Sequence, residues 1–534
     1  MARGFLWSYV RNVALTLGVV CGTVLIAAPV TAQVTAFKQA VAEAAANDRD
    51  LAAFYQTTDY APVWTTANAT RRNALFAALA EADMHGLPSA RYDVPGLKAR
   101  LASANSARDR GAVEVAMSAV FLQYARDMQT GAVVPKKIDP AIVREVPYRD
   151  RQSYLTSFVQ SSPQGFLRSL PPTTGEYTRL LAAKMQMERQ LAQGGYGATV
   201  KAASLKPGAQ GAAVVALRDR MVAMGHMDRS ATQTYDAALQ KAVQLFQIAH
   251  GLTPDGVAGE GTMAEINRPL ESRLQAVIVA MERERWLNTE RGARHVLVNI
   301  VDFSAKIIDN DKVTFETRSV VGADKDDQRT PEFSDVMEFM VINPSWNVPR
   351  SITVKEYLPM MQRNPNAAGH LKITDGNGRV IPRNQINFGA YSAKTFPFNM
   401  KQPPSDGNAL GLVKFMFPNQ YNIYLHDTPS KDLFNREVRA FSHGCIRLHQ
   451  PFDFAYALLA KQSADPVGLF QARLKTGEEN AITLEQPVPV HLIYRTAFTD
   501  AKGGLHFRRD VYGRDARIWD ALSKAGVVLR AQQG

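Results

Sequence analysis

The residues best suited to chemistry lie in the run Ser442-His443-Gly444-Cys445-Ile446-Arg447-Leu448. Cys445 is one of two cysteines in the chain, and the other, Cys21, lies in an apolar N-terminal run typical of a removable leader. A lone thiol left after removal of that leader has no partner for an internal disulfide and is open to oxidation. A small buried hydrophobe is the plain alternative, but the flanking residues favour a nucleophile.

A thiol with a reference pKa of about 8.5 needs a base to become a thiolate. The segment 422–427 alternates polar and apolar residues. We predict a strand with Ile423 and Leu425 inward and with Tyr424 and His426 presented, not buried, on the other face. His426 is therefore the candidate base.

Two residues of the cysteine run suit the other needs of acyl transfer. Gly444 permits backbone conformations closed to other residues, so main-chain N–H groups at this turn can point at a developing oxyanion. Arg447 is placed to pair with a substrate carboxylate.

The spacing of these residues resembles the catalytic signature of the bacterial L,D-transpeptidases. In that family a histidine is followed at a set interval by Ser/Thr-His-Gly-Cys, an apolar residue, and Arg or Asn. Here fifteen residues separate His426 from Ser442, and the run to Arg447 fits without a gap. The resemblance implies that Cys445 is the nucleophile and His426 the base, while Ser442 and His443 shape the turn.

One position departs from the family pattern. Many members have glycine directly after the first histidine, where this chain has Asp427. In the family the backbone carbonyl at this position orients the imidazole, and a carbonyl is present whatever the side chain. Residues 343–349 resemble the family's segments around the substrate cleft, so we predict substrate contacts from Arg447, Tyr424, Trp346 and Asn347.

The resemblance implies a peptidoglycan L,D-transpeptidase. The Cys445 thiolate would form a thioester with the third residue of a stem tetrapeptide and release D-alanine, and an amine of a neighbouring stem would then complete a 3-3 cross-link. The implied partners are stem peptides and glycan, carbapenem β-lactams as inhibitors, and other wall-synthesis proteins. Neither a cofactor nor a nucleic acid is expected.

Three alternatives remain at this stage. Water as the acceptor would make the protein an L,D-carboxypeptidase. A zinc peptidase would use His443, Cys445 and His449, although their spacing is not that of common zinc sites, and we predict no metal. A wall-binding scaffold with a decayed site is the non-enzymatic alternative, which the complete signature argues against.

The composition bounds the remaining possibilities. A chain of 534 residues is too long for one core, and 46% hydrophobic residues exclude wholesale disorder. Residues 1–32 carry Arg3 and Arg11 before an uncharged apolar run, so we predict a signal peptide and a periplasmic protein, with a retained signal anchor as the alternative. The formal charge of +12 suits an anionic polymer.

Hydrophobic periodicity divides the rest of the chain. Residues 33–200 show helical spacing and resemble the scaffold region of large Gram-negative family members; a helix at 270–288 is expected to join it. Residues 205–268 predict a small three-helix module that resembles peptidoglycan-binding modules, with Asp255, Gly256, Gly259 and Thr262 at the matching positions.

The period changes to alternation at about residue 291. We predict a mostly β catalytic domain over 291–500, a curved antiparallel sheet forming a sandwich or barrel, within an α+β multidomain protein. The irregular stretch at about 350–410 is expected to be a lid insertion, as in larger relatives. Residues 501–534 are taken as a C-terminal extension of unassigned role.

Overall fold

The computed structural model describes residues 35–530. The predicted signal peptide, residues 1–32, lies outside this range. Between residues 35 and 530 no helix combines the length and the apolarity that crossing a membrane requires.

The scaffold is helical, and its helices pack around one long central helix that begins at a capping box. Ser106 accepts the N–H of Asp109 through its side chain, and the Asp109 carboxylate accepts the N–H of Ser106. Phe121 of this helix is buried against Trp64 and Phe158. In chain order the helices are α1 (Ala36–Ala45), α2 (Arg49–Thr57), α3 (Thr70–Ala80), α4 (Val94–Ser103), α5 (Ala107–Thr130), α6 (Pro135–Ile138), α7 (Arg151–Gln160), α8 (Pro163–Arg168) and α9 (Gly175–Ala192).

A small helical module follows, made of α10 (Ala212–Ala223), α11 (Ala237–Ala249) and α12 (Glu260–Ile266). Its core is separate from that of the scaffold and contains Leu217 and Phe246, both fully buried. Arg220 is buried as well, and its guanidinium donates to the carbonyl oxygen of Ile266 at 2.7 Å. This bond ties the first helix of the module to the last.

Helix α13 (Leu270–Trp286) returns the chain to the scaffold and packs against α9. Its last turns carry the buried run Glu282-Arg283-Glu284-Arg285. Arg285 pairs with Glu282 at 3.0 Å, and Arg283 pairs with Glu332, which precedes a strand of the catalytic region, at 2.6 Å. The Arg283–Glu332 pair joins α13 to the catalytic region, and removing one of its partners would leave the other charge buried and unpaired, at a cost of about 3–5 kcal/mol.

The catalytic region is a β-barrel. The sheet order is β3-β11-β9-β8-β4-β12-β1-β2, and a second pairing of β2 with β3 closes it, while β10 lies beside the end of β3. Most neighbours are antiparallel, but β1–β12, β9–β11 and β3–β10 are parallel. The strands are β1 (Arg294–Asn299), β2 (Ser304–Asp309), β3 (Lys312–Gly322), β4 (Phe333–Ile342), β5 (Trp346–Asn347), β6 (Lys372–Thr374), β7 (Asn399–Gln402), β8 (Val413–Met416), β9 (Leu425–His426), β10 (Ala440–Ser442), β11 (Ile446–Leu448), β12 (Asn480–Ile493), β13 (Ala497–Thr499) and β14 (Leu505–Phe507).

This architecture confirms the predicted fold class, α+β with a mostly β catalytic domain. The strand predicted over 422–427 is shorter, because β9 contains only Leu425 and His426. Asn419 closes a turn before it by accepting the N–H groups of Tyr421 and Ile423, and Asn422 has a φ of +53°. These contacts keep the segment out of the sheet until residue 425.

The stretch 350–410 is a folded insertion with its own core, not an irregular loop. It contains α14 (Arg350–Ile352), a π-helical turn (Thr353–Tyr357) and α15 (Leu358–Arg363), and β6 and β7 extend a small sheet that begins with β5. Met361, Phe396 and Met400 are among its buried core residues. The chain leaves the barrel after β4 and rejoins it at β8.

Two helices and a C-terminal segment complete the chain. Helices α16 (Pro451–Leu459) and α17 (Pro466–Leu474) bury Phe454 and Phe470 in the barrel core. The hairpin β13–β14 and helix α18 (Arg514–Lys524) pack against α13. The boundary predicted at residue 500 falls inside this hairpin, because the C-terminal residues fill the junction between scaffold and barrel.

Candidate active site

Cys445 lies at the end of a tight turn between β10 and β11. Gly444 has a φ of +108°, a conformation that L side chains rarely adopt, and a Cβ atom there would lie 3.1 Å from the side chain of Ile423. The Ser442 hydroxyl spans the turn, donating to the Cys445 carbonyl oxygen and accepting the Gly444 N–H at 3.1 Å. The Gly444 N–H is thus not free to meet an oxyanion, contrary to the sequence-based prediction.

A buried threonine stabilises the backbone of this turn. Thr330 donates its hydroxyl to the Gly444 carbonyl oxygen at 2.7 Å and accepts the N–H of Gly322 at 2.9 Å. The Tyr512 hydroxyl donates to the Gly322 carbonyl oxygen, and Arg514 donates to the Thr330 carbonyl oxygen at 3.0 Å. Residues from the C-terminal segment therefore fix the backbone beside the thiol.

His426 lies on the strand next to the cysteine. Strand β9 runs parallel to β11, with Leu425 opposite Ile446 and His426 opposite Arg447. The His426 Nδ1 atom is hydrogen-bonded to the Asp427 carbonyl oxygen, so Nδ1 carries the proton and Nε2 of the neutral ring is the basic nitrogen.

The exposure of His426 differs from the prediction. The side chain is 4% exposed, because the Tyr424 ring packs on it at 5.6 Å between centroids and the Leu410 backbone of the insertion lies beside it. Burial, together with the positive charges of Arg447 and Lys414, lowers the pKa of His426 to about 3. The alternation of the segment identified the face correctly but could not indicate that the insertion covers it.

The thiol of Cys445 is half-buried, and its Sγ atom donates to the Asn422 carbonyl oxygen at 3.5 Å. Burial raises the pKa of Cys445 to about 11; Tyr424, through its N–H and hydroxyl groups, and the charges of Arg447 and Lys414 act in the opposite direction. At neutral pH the pair is therefore a neutral thiol beside a neutral imidazole.

Two cations share the outward face of the barrel with Cys445 and His426. Lys414 of β8 lies opposite His426, and Arg447 follows Cys445 by two residues. Both are half-buried, burial lowers the pKa of each, and the Arg447 Nε atom has no hydrogen-bond partner among residues 35–530. Sequence reasoning missed Lys414, although the alternation Val413-Lys414-Phe415-Met416 would have placed it on this face.

The insertion contacts the site at two places. The His443 Nε2 atom pairs with the Glu356 carboxylate at 2.5 Å, and Lys355 pairs with Asp327 in the loop after β3. The Asp427 carboxylate accepts the Leu412 N–H at 3.0 Å, where the insertion rejoins the barrel. His443 thus braces the insertion.

The other predicted contact residues lie in the insertion's sheet. Trp346 is 9% exposed and belongs to the insertion's core, so it does not line an open cleft. Asn347 is exposed and pairs with Lys401 on β7. In the described part of the chain, no three His, Cys, Asp or Glu side chains gather as a metal site. The zinc alternative named His443, Cys445 and His449, which point to Glu356, Asn422 and Arg318 respectively.

Family models match three parts of the chain. Residues 293–467 match the model described as "L,D-transpeptidase catalytic domain", residues 210–266 match "Putative peptidoglycan binding domain", and residues 49–183 match "Scaffold domain". The chain therefore carries an L,D-transpeptidase catalytic domain, and the family predicted from the run Ser442 to Arg447 is confirmed. These peptidoglycan-related domains imply a location at the cell wall.

Individual proteins match smaller shares. A curated relative from Haemophilus influenzae, described as "Putative L,D-transpeptidase", is 32% identical over 241 residues, which are 43% of this chain and 47% of the relative. The alignment thus spans about half the length of that relative. A solved structure of the L,D-transpeptidase from Xylanimonas cellulosilytica (residues 123-326) is 15% identical and covers 55% of this chain and 98% of that chain, with a TM-score of 0.17.

Proposed function

We propose that the protein is an exported L,D-transpeptidase that cross-links peptidoglycan stem peptides through a thioester on Cys445. The observation that carries this proposal is the pairing of β9 with β11, which brings the basic Nε2 face of His426 to the strand that follows the thiol. The match of residues 293–467 to the catalytic domain of this family supports the same reaction.

The first half-reaction begins with proton transfer from the Cys445 Sγ to the His426 Nε2. The thiolate attacks the carbonyl that joins the third residue of a stem to terminal D-alanine. The oxyanion accepts a hydrogen bond from the Cys445 N–H, which has no acceptor among residues 35–530. Loss of such a donor costs about 2.7–4 kcal/mol of transition-state stabilisation. As the C–N bond breaks, the leaving amine takes the proton from His426, and a thioester remains on Cys445.

The second half-reaction runs through the same groups. His426 accepts a proton from an amine of a neighbouring stem, which attacks the thioester. The oxyanion collapses, the C–S bond breaks, and the thiolate is reprotonated. Arg447 and Lys414 supply positive charge for the carboxylate of the terminal D-alanine in the first step.

The insertion is proposed to act as a lid. Its contacts through Glu356 and Asp427 hold it beside His443 and His426. A covered thioester meets less water, which favours an amine acceptor over hydrolysis. The module at 210–266 is proposed to bind peptidoglycan, and a periplasmic location would place both domains at their substrate.

The test is incubation of the mature protein with purified tetrapeptide muropeptides, with products identified by mass. We expect cross-linked dimers and free D-alanine from the wild type and neither from Cys445→Ala. Tripeptides without dimers would assign the carboxypeptidase reaction instead. Intact-mass analysis with a carbapenem should show one adduct, which Cys445→Ala should lack; turnover or labelling that persists in this variant would contradict the mechanism.

A further inference from the structure

A second cavity, of about 340 Å³, opens on the barrel at the strands next to β11. Strands β2 and β3 form its floor, and the segments around β10 and β11 form its walls. It is lined by Asp302, Phe303, Ser304, Glu316, Arg318 and Arg439, together with Thr317, His449 and Gln450. None of these residues takes part in the proposed acyl transfer.

The cavity carries positive charge that the protein does not neutralise. Its two carboxylates are already paired, Asp302 with Arg508 at 2.6 Å and Glu316 with Lys306 at 3.2 Å. Arg318 and Arg439 have no carboxylate partner among residues 35–530. Two guanidinium groups therefore face the cavity without a carboxylate of residues 35–530 in salt-bridge contact.

Backbone carbonyls hold both guanidinium groups in place. Arg318 donates to the Phe434 carbonyl oxygen at 2.9 Å, and its other terminal nitrogen lies 3.2 Å from the His449 Nε2 atom. Arg439 donates to the carbonyl oxygens of Ser319 and Phe303 at 3.2 and 3.3 Å. Burial and the charges of Arg318 and Arg508 lower the pKa of Arg439 to about 10, while the charge of Asp302 acts in the opposite direction. A bound anion would relieve this repulsion without reorganising either side chain.

The position of the cavity relates it to the thiol. Cys445, Arg447 and His449 alternate with the buried Ile446 and Leu448, so all three side chains lie on the outward side of the barrel. His449 follows Cys445 by four residues, and four residues of extended chain span about 13 Å.

The small module contacts two residues that lie next to the cavity lining. Arg508, which holds Asp302, also donates to the Ala249 carbonyl oxygen at the end of α11. Thr253 of the module donates its N–H to Glu437, two residues before Arg439.

We propose that Arg318, Arg439 and His449 form a second subsite, which binds a carboxylate of the wall peptide about 13 Å along β11 from the thiol. This inference rests on the proposed function for its substrate. The subsite would orient a stem along β11, whereas Arg447 and Lys414 hold the end nearest the thiol.

The test is calorimetric binding in the Cys445→Ala background, where no turnover occurs. The probes are a disaccharide tetrapeptide and the same molecule with its carboxylates amidated. Arg318→Gln should weaken binding of the anionic peptide about tenfold, as expected for one lost charge-assisted hydrogen bond, and should not weaken binding of the amidated peptide. Lys312→Gln, on an exposed residue at the far end of the same strand, is the matched control and should bind as the parent does.

Equal binding of the anionic peptide by the parent and Arg318→Gln would overturn the proposal. Inorganic phosphate is the third probe: if Arg318→Gln loses phosphate but keeps the peptide, the assignment to a peptide carboxylate is wrong. If thermal unfolding shows that Arg318→Gln does not fold, the same binding experiment is carried out with Arg439→Gln. Binding is measured in a variant without turnover, so it is independent of the cross-linking assay. Absence of cross-linking by the wild type would refute the proposed function but would not decide whether the second subsite exists.

Discussion

Cys445 and His426 rest as a neutral pair because burial raises the pKa of the thiol and lowers that of the imidazole. An ion pair prepared in advance would leave the thiolate open to oxidation. With a neutral pair, the thiolate forms only when substrate is present, and the reaction must then include a proton transfer from Cys445 to His426.

The neutral pair gives a pH-dependent prediction for the base. In the wild type, acylation by a chromogenic β-lactam should stay level through the neutral range, which lies above the His426 pKa of about 3 and below the Cys445 pKa of about 11. His426→Ala should slow acylation by roughly 10²–10⁴-fold and make the rate rise with pH, since only thiolate formed by titration can then react.

The matched control for this prediction is His443→Ala. His443 braces Glu356 of the insertion, so its loss should change the rate much less and keep the level pH profile. If His426→Ala keeps the level pH profile and His443→Ala loses it, the base is His443 and not His426.

At the scale of elements, the insertion is held to the barrel through a residue that departs from the family pattern. The Asp427 carboxylate accepts the Leu412 N–H and also pairs with Lys431 at 2.6 Å, while its backbone carbonyl orients His426. A glycine at this position would keep the carbonyl and lose the attachment. The aspartate therefore connects the end of the insertion to the strand that carries His426.

Asp427→Ala should loosen the point where the insertion rejoins the barrel. The Leu412 N–H would lose its charged acceptor, a bond of about 1.5–3 kcal/mol. Hydrogen exchange at Leu412 and its neighbours should speed up more than tenfold, with little change in strand β12. Asp432→Ala is the control, because Asp432 is exposed. Unchanged exchange in Asp427→Ala would show that the carboxylate does not hold the insertion.

Across the whole molecule, the catalytic turn is connected to the scaffold through buried polar groups. Thr330 supports Gly444, Arg514 binds the Thr330 carbonyl oxygen, and Arg283 of α13 pairs with Glu332 two residues further on. Helix α13 and the C-terminal segment thus contribute to the geometry of a turn that lies on the barrel.

Thr330→Val tests this connection. The Gly444 carbonyl and the Gly322 N–H would lose a buried partner, at about 1–3 kcal/mol each. We expect a lower melting temperature and slower acylation of Cys445, with the acylation deficit remaining well below the melting transition. Tyr512→Phe, which removes only the outer hydroxyl, should have the same effect in smaller measure.

The matched control is Thr353→Val in the insertion. Thr353 is equally buried, but its hydroxyl makes one long contact of 3.5 Å. If Thr353→Val and Thr330→Val slow acylation equally, the effect of Thr330 is general destabilisation and not support of the turn.

The sequence by itself determined the elements and the chemistry that depend on local pattern. Period-two alternation put Ile423 and Leu425 in the core, helical spacing predicted the scaffold and the module, and the run Ser442 to Arg447 identified the family. These features were readable because neighbouring residues on one strand or turn carry them. The same local signal would have found Lys414 from its alternating neighbours.

Only the tertiary structure decided what depends on contacts between distant segments. The burial of His426, the use of the Gly444 N–H by Ser442, and the place of Trp346 in a separate core follow from a folded insertion and a tight turn. The support of Gly444 by Thr330 joins residues 114 positions apart. No local periodicity records such contacts, because each is set by packing between segments that are far apart in the sequence. These contacts determine the pKa values and the free hydrogen-bond donors of the site.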